Sequence, residues 1–165
     1  MAVGSLQAKT SVRVYFPHVD LLLKALRIQR DRLGSASKLA VDARLLRMLI
    51  EAVVGTLPFS AEFYQETYPD IAAAVCNGEM SDPQRHYIEA GYFEGRLGAP
   101  PQVDERFYVA AYPDVADAIR RGEVRSGTEH YIRAGAAEGR VPNPSVRASI
   151  DTWMGLLGDA LTRAG

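Results

Sequence analysis

The sequence predicts a mainly α-helical protein that carries two tandem copies of a three-helix unit. Residues 63–96 and 107–140 align without a gap at a shift of 44 positions, and a fixed period of this length indicates a repeated supersecondary unit. Outside the copies, apolar residues recur at helical spacing. The predicted order is an extended arm (1–17), a helical hairpin (18–56), repeat 1 (57–98), repeat 2 (99–142) and a C-terminal amphipathic helix (143–165).

Composition and charge limit the class of protein. A chain of 165 residues with 47% hydrophobic residues can form one domain with appendages. The net charge of −1 disfavours a dedicated nucleic-acid binder. Residues 1–56 hold nine Lys and Arg against four Asp and Glu, whereas residues 57–141 hold eight against fourteen. We expect the basic part to pack on the acidic repeats; the alternative is that it binds an anionic partner.

Cysteine and targeting signals are sparse. Cys76 is the only cysteine, which excludes a disulfide framework or thiolate metal site within one chain, and we expect it to be buried or half-buried. The N-terminus lacks the apolar run of a signal peptide. The most apolar stretch, Leu45–Val54, contains Arg47 and Glu51, so no membrane span is expected. The sequence therefore predicts synthesis in the cytoplasm without a signal peptide, with release or surface association only by another route.

The N-terminal third is predicted to hold an extended arm and two helices. Ser11–Phe16 alternates with period two, which favours a short strand or arm that pairs with a neighbouring subunit. The spacing of apolar residues predicts one helix over 19–33 ending at Gly34, and a second from Ser35 or Ser37 to Val54. The short connection between them suggests an antiparallel hairpin. Its arginines leave open a DNA-binding alternative through residues 19–54.

Each repeat is predicted to form three short helices. The first begins after an N-cap, Ser60 or Asp104, and stops at the Tyr-Pro dipeptide, because proline disfavours helix at the preceding residue. We expect Asp70 and Asp114 to cap the second helix. The second helix ends at Gly78 or Gly122 and the third at Gly91 or Gly135; the third opens at Ser81-Asp82-Pro83 or at a Ser126–Glu129 capping box.

A last helix is predicted after Pro142-Asn143-Pro144. Ser145 is the expected cap, and apolar residues follow at helical spacing. They are Val146, Ile150, Trp153, Met154, Leu157 and Leu161. We expect this helix to cover the open end of the repeats or to pack on a partner chain, because two repeats alone bury little surface.

Several residues of the repeats have both a structural and a functional interpretation. We expect His86 and His130 to be structural, because neither has a second ligand at a metal-binding spacing. Glu94–Arg96 and Glu138–Arg140 fit salt bridges within a turn, or a site for an acidic sugar or phosphate. Aromatic rings suit core packing, or stacking on sugars. The candidate binding residues are Tyr64, Tyr68, Tyr87, Tyr92, Phe93, Arg96, Tyr108, Tyr112, Tyr131 and Arg140.

The shared pattern FYxxxYPDVAxAI…G…HYxxxGxxEGR covers residues 59–142. It resembles a repeat module of bacterial proteins linked to cell-surface polysaccharides, which stands beside glycosyltransferase domains and in large exported repeat proteins. The resemblance implies a role with a surface polysaccharide or its machinery, and it implies no particular reaction. The chain has no glycosyltransferase domain and no aspartate-glycine calcium repeats, which disfavours enzymatic and calcium-dependent roles.

No catalytic motif occurs: GxSxG, the P-loop, GxGxxG and HExxH are all absent. The sequence therefore predicts a non-enzymatic module without metal or cofactor. The first hypothesis is recognition or positioning of a capsule-type polysaccharide or its machinery. The second is an oligomeric structural component, such as a spike, decoration or adaptor of a phage-like particle or surface assembly. Both imply a polysaccharide or protein partner, and the second implies a homo-oligomer or larger assembly.

Overall fold

The regular elements of the described part of the chain are all helical, which confirms the predicted mainly α fold class. The computed structural model describes residues 16–32 and 39–162, with side chains of the last helix described up to residue 157. The helices are α1 Val19–Leu26, α2 Ala43–Val54, α3 Ala61–Thr67, α4 Pro69–Cys76, α5 Pro83–His86, α6 Glu105–Ala111, α7 Pro113–Arg120, α8 Gly127–His130 and α9 Arg147–Thr162. Two compact units are formed, one ending at Thr56 and one beginning at Leu57.

The first N-terminal helix is shorter than predicted. Arg27 adopts a left-handed conformation with φ of 53° and ends α1, its N–H reaching the carbonyls of Leu23 and Lys24. The predicted continuation to residue 33 is therefore wrong, and a 3-10 turn at Arg30–Arg32 follows instead. The apolar spacing did not reveal this end, because arginine rarely adopts positive φ.

The second helix begins later than predicted, at Ala43. Its N-cap is Asp42, whose carboxylate accepts hydrogen bonds from the N–H groups of Arg44 and Leu45. The alternative caps Ser35 and Ser37, and the predicted strand up to residue 15, lie outside the described residues. The helical hairpin remains a prediction.

The boundaries of the repeat helices largely follow the sequence signals. The side chains of Ser60 and Asp104 accept from the N–H groups of Phe63 and Phe107, so both predicted N-caps are confirmed. Glycines with positive φ follow the second helices and form the Glu-Gly-Arg turns, as predicted. They are Gly78 and Gly122 after the helices, and Gly95 and Gly139 in the turns.

Each repeat closes on itself. The N–H of Ser60 donates to the carbonyl of Gly98 at 2.8 Å, and the N–H of Asp104 donates to that of Pro142 at 3.0 Å. The cap of the first helix of each repeat therefore lies beside the last residue of that repeat. The helix pairs with extensive contact fall within single repeats in the described residues, so each repeat forms its own small core.

The third helix of each repeat ends in a π-helical turn, and the last residue of that turn is a glycine. α5 continues into Tyr87–Gly91, and α8 continues into Tyr131–Gly135. The predicted ends of the third helix at Gly91 and Gly135 are confirmed, because both π-helical turns end at these glycines. Gly91 also allows a close approach: a Cβ there would overlap the hydroxyl of Tyr64.

The two repeats differ in how they treat the first backbone N–H group of the third helix, which has no partner within the helix. In repeat 1 Pro83 stands at the first position of α5 and has no N–H to satisfy. Its counterpart Gly127 has one, and Glu105 accepts it at 2.8 Å together with the N–H of Thr128 at 2.8 Å. Glu105 thereby ties α6 to the first turn of α8.

The C-terminal helix lies on repeat 2. A 3-10 turn at Pro144–Val146 precedes it, and Asn143 caps this turn by accepting from the N–H of Ser145, so the predicted Ser145 cap is wrong. The guanidinium of Arg147 lies 5.4 Å from the ring centre of Phe107, and the Met154 side chain lies against Gly139. No helix among the described residues is long and apolar enough to cross a membrane.

Candidate functional site

A bidentate ion pair joins the end of repeat 1 to the first turn of α4. The guanidinium of Arg96, 20% exposed, donates to the two carboxylate oxygens of Asp70 at 3.0 and 2.8 Å and to Glu94 at 2.7 Å. The predicted capping role of Asp70 is wrong: the N-cap of α4 is Tyr68, without a side-chain hydrogen bond, and Asp70 lies in the first turn. The predicted salt bridge from Glu94 to Arg96 is confirmed.

Tyr68 completes the environment of this arginine. Its ring centre lies 5.0 Å from the guanidinium carbon of Arg96, a cation–π distance. Its hydroxyl accepts from the N–H of Leu97 at 2.7 Å. Because Tyr68 covers the guanidinium and Asp70 and Glu94 accept its hydrogen bonds, Arg96 holds the end of repeat 1 against α4.

Repeat 2 reproduces this arrangement closely. Arg140 donates to the carboxylate of Asp114 at 3.0 and 2.8 Å, and its guanidinium lies 4.8 Å from the Tyr112 ring centre. The hydroxyl of Tyr112 accepts from the N–H of Val141 at 2.7 Å. The capping prediction for Asp114 is wrong for the same reason, since the cap of α7 is Tyr112. Two copies with one geometry identify the cluster as part of the repeat architecture.

The ion pairs shift the pKa values of their members. Hydrogen bonds from Arg96 and Arg140 hold the pKa of Asp70 and Asp114 below the ordinary range. The same hydrogen bonds raise the pKa of the two arginines. The four groups are therefore charged at neutral pH, and none is prepared to exchange protons there.

A buried tyrosine contacts a half-buried histidine in each repeat. The hydroxyl of Tyr64 is 3.1 Å from Nδ1 of His86, and that of Tyr108 is 3.2 Å from Nδ1 of His130. Both tyrosines are fully buried, and burial raises the pKa of each to about 12. Neither ring is accessible to a ligand in this conformation.

The exposed aromatic surface of repeat 1 consists of Tyr92 and Phe93, which are 42% and 41% exposed. Their ring centres are 5.7 Å apart at 88°, and Tyr92 packs edge-on against the buried ring of Tyr87 at 6.4 Å. The alignment of the repeats places alanines at these positions in repeat 2. Tyr92 and Phe93 are thus the members of the predicted binding set that present their rings to solvent.

The other predicted binding residues lie together inside the repeats. Tyr87 is buried beside Tyr64, and Tyr131 packs against Tyr108 at 5.9 Å between ring centres. Tyr68 and Tyr112 lie beside the paired arginines. The structure brings the set together as two internal clusters rather than as one open surface.

A groove of about 450 Å³ that sequence reasoning missed lies between the repeats. Glu66 and Thr67 form one wall, and residues 125–133 contribute the other. Its charges are offset within the groove, since Arg125 and Arg133 both contact Glu129, at 3.1 and 3.5 Å. No sequence signal marks it, because it arises where α3 and the third helix of repeat 2 meet.

The cysteine, the metal-ligating residue types and the basic residues of the N-terminal unit show no site for thiol, metal or DNA chemistry in the described residues. Cys76 is exposed at the end of α4, so the prediction of burial is wrong. Within the described ranges no three His, Cys, Asp or Glu side chains converge on a metal position. In the N-terminal unit Arg30 pairs with Asp20 and Arg44 with Asp42. These pairs offset part of the basic charge on which the DNA-binding alternative depends.

No protein-family model, curated protein or solved structure matches this chain.

Proposed function

We propose that this chain is a non-enzymatic, protein-binding component of a larger assembly, and that α9 supplies the binding face. The supporting observation is the apolar surface of α9. Trp153 is 64% exposed and Leu156 62% exposed, and Met154 and Leu157 are exposed beside them. Large apolar side chains grouped on one helix are typical of an interaction surface.

The way α9 is attached supports this role. Arg147 and Met154 hold the helix on repeat 2, and they are two helical turns apart on one side. Trp153 and Leu157 lie on the adjacent strip and stay in contact with solvent. The helix is therefore fixed in place while much of its apolar surface remains available to a partner.

The internal chemistry of the repeats agrees with a binding role. Their polar side chains pair with one another, and among the described residues no buried side-chain polar atom lacks a hydrogen bond. A catalytic site usually keeps a proton donor, acceptor or nucleophile free to meet a substrate. The repeats act as a rigid support for the surfaces at their edges.

The test is the size of the species that contains the chain in its own cells. We expect the wild-type chain to elute in a gently prepared lysate well above the monomer mass, and Leu157→Glu to shift it to the monomer position. Ala148→Glu is the matched control, because Ala148 is exposed on the opposite side of α9 from Leu157. Elution of the wild-type chain as a monomer would contradict the proposal.

A second candidate function is polysaccharide binding, and the exposed pair Tyr92 and Phe93 favours it. Aromatic rings with a hydroxyl nearby can stack on the apolar face of a sugar. A panel of capsule-type polysaccharides should retain the wild-type chain and release the Tyr92→Ala, Phe93→Ala variant. Retention of both proteins to the same extent, or of neither, would reject this candidate.

A further inference from the structure

The Glu-Gly-Arg turns of the two repeats have the same conformation but different surroundings. Gly95 and Gly139 have φ values of 78° and 67°. Around Gly139, a Cβ would come within 2.7 Å of the sulfur of Met154 from α9. Around Gly95, the corresponding space is open, with no atom within 4 Å. A helix therefore covers the turn of repeat 2, and the matching turn of repeat 1 is uncovered.

The contact in repeat 2 shows what kind of group this turn accepts. It is an apolar side chain carried by a helix, Met154, with a second contact from the same helix at Phe107. The backbone of the turn is the same in repeat 1, and Tyr92 and Phe93 enlarge the apolar surface beside it. The turn of repeat 1 is thus a more apolar version of a surface that already binds a helix.

We propose that Tyr92, Phe93 and Gly95, here called the turn surface of repeat 1, bind the exposed face of α9 from a second copy of this chain. This inference depends on the proposed function, because it identifies the partner of α9. Within one chain α9 already lies on the turn of repeat 2, and its strip bearing Trp153 and Leu157 faces solvent. Each copy offers one turn surface and one such strip, so two copies can exchange them reciprocally.

The first experiment is sedimentation of the purified full chain. We expect a dimer or larger species at about 100 µM, and at least a tenfold weaker association for Tyr92→Ala, Phe93→Ala, which installs the residues of repeat 2. Leu157→Glu should have the same effect, and Ala148→Glu should associate like wild type. A monomeric wild-type chain at this concentration, or association unchanged in the double variant, would overturn the inference.

The second experiment tests which surfaces meet. In a Cys76→Ser background, chains with Tyr92→Cys are mixed with chains carrying Trp153→Cys, and disulfide formation between the two is measured. Ala148→Cys is the control partner and should react more slowly. If the purified chain is monomeric but Leu157→Glu still releases it from a large species in its own cells, this inference fails and the proposed function stands. If Leu157→Glu releases nothing there, the proposed function fails.

Discussion

Arg96 binds both carboxylate oxygens of Asp70, which lies 26 residues earlier in the chain, at 3.0 and 2.8 Å. Lysine cannot reproduce this two-point contact or the stacking on Tyr68. We therefore expect Arg96→Lys to lower the free energy of unfolding by about 1–2 kcal/mol. Urea denaturation followed by far-UV circular dichroism measures the change.

The matched control is Arg85→Lys. Arg85 is largely exposed and forms a single contact with Glu89, four residues away on the same helical segment. Exposed pairs of this kind contribute little, so the change should stay below about 0.5 kcal/mol. Equal effects of the two substitutions would show that the pair with Asp70 has no special structural role.

The same ion pairs predict how stability depends on pH. The arginine partners lower the pKa of Asp70 and Asp114 in the folded state below the ordinary value of 3.8. The stability from these pairs is present above that value and is lost as the pH falls through the lowered pKa. The wild-type chain should therefore exceed Asp70→Asn, Asp114→Asn in urea midpoint at pH 7, and the difference should shrink below about pH 4. A difference that is constant down to pH 2 would contradict this origin.

The sequence revealed the repeat, its helix caps and its turns because these depend on residues close together in the chain. Ser60 and Asp104 cap through a neighbouring N–H, and Gly78 marks its helix end by its own backbone conformation. Asp70 was misinterpreted because an aspartate after a proline fits a cap equally well. Its true partner, Arg96, lies far along the chain, and one sequence gives no direct measure of that distance.

The roles of the tyrosines show the same limit. Composition alone fits both a sugar-binding surface and an aromatic core. Burial separates the two: Tyr64 and Tyr108 lie inside, whereas Tyr92 and Phe93 lie outside. The sequence signal that separates the two roles is the difference between the copies at Tyr92 and Phe93, where repeat 2 has alanines. Residues that a repeat needs for its core recur in both copies.

We expect Glu105 to contribute to the stability of repeat 2 but not to that of repeat 1. Its carboxylate accepts hydrogen bonds from Gly127 and Thr128 at the start of α8. Although burial opposes its charge, these hydrogen bonds keep its pKa below the ordinary range. Glu105→Ala should cost about 1–2 kcal/mol in thermal or urea unfolding. Glu62→Ala, an exposed acid in the first turn of α3, should cost a few tenths of a kcal/mol; equal losses would refute the role of Glu105.

The close approach of Tyr64 to Gly91 gives a direct test of packing inside repeat 1. A methyl group at residue 91 would overlap the hydroxyl of Tyr64 and lie near the ring of His86. We expect Gly91→Ala to lower the free energy of unfolding by about 2–4 kcal/mol, because the buried ring has no room to move. Tyr64→Phe alone removes the contact between the hydroxyl and Nδ1 of His86 and should cost about 1 kcal/mol.

The double variant Tyr64→Phe, Gly91→Ala separates the overlap from other effects of the alanine. Phenylalanine lacks the oxygen that the methyl group would meet, so the double variant should be more stable than the sum of the single changes predicts. Gly155→Ala is the control for alanine in place of a helical glycine, because no atom lies near its Cβ position. It should be neutral or stabilising by about 1 kcal/mol. Additive losses in the double variant would mean that Gly91 is required for its backbone rather than for the space it leaves to Tyr64.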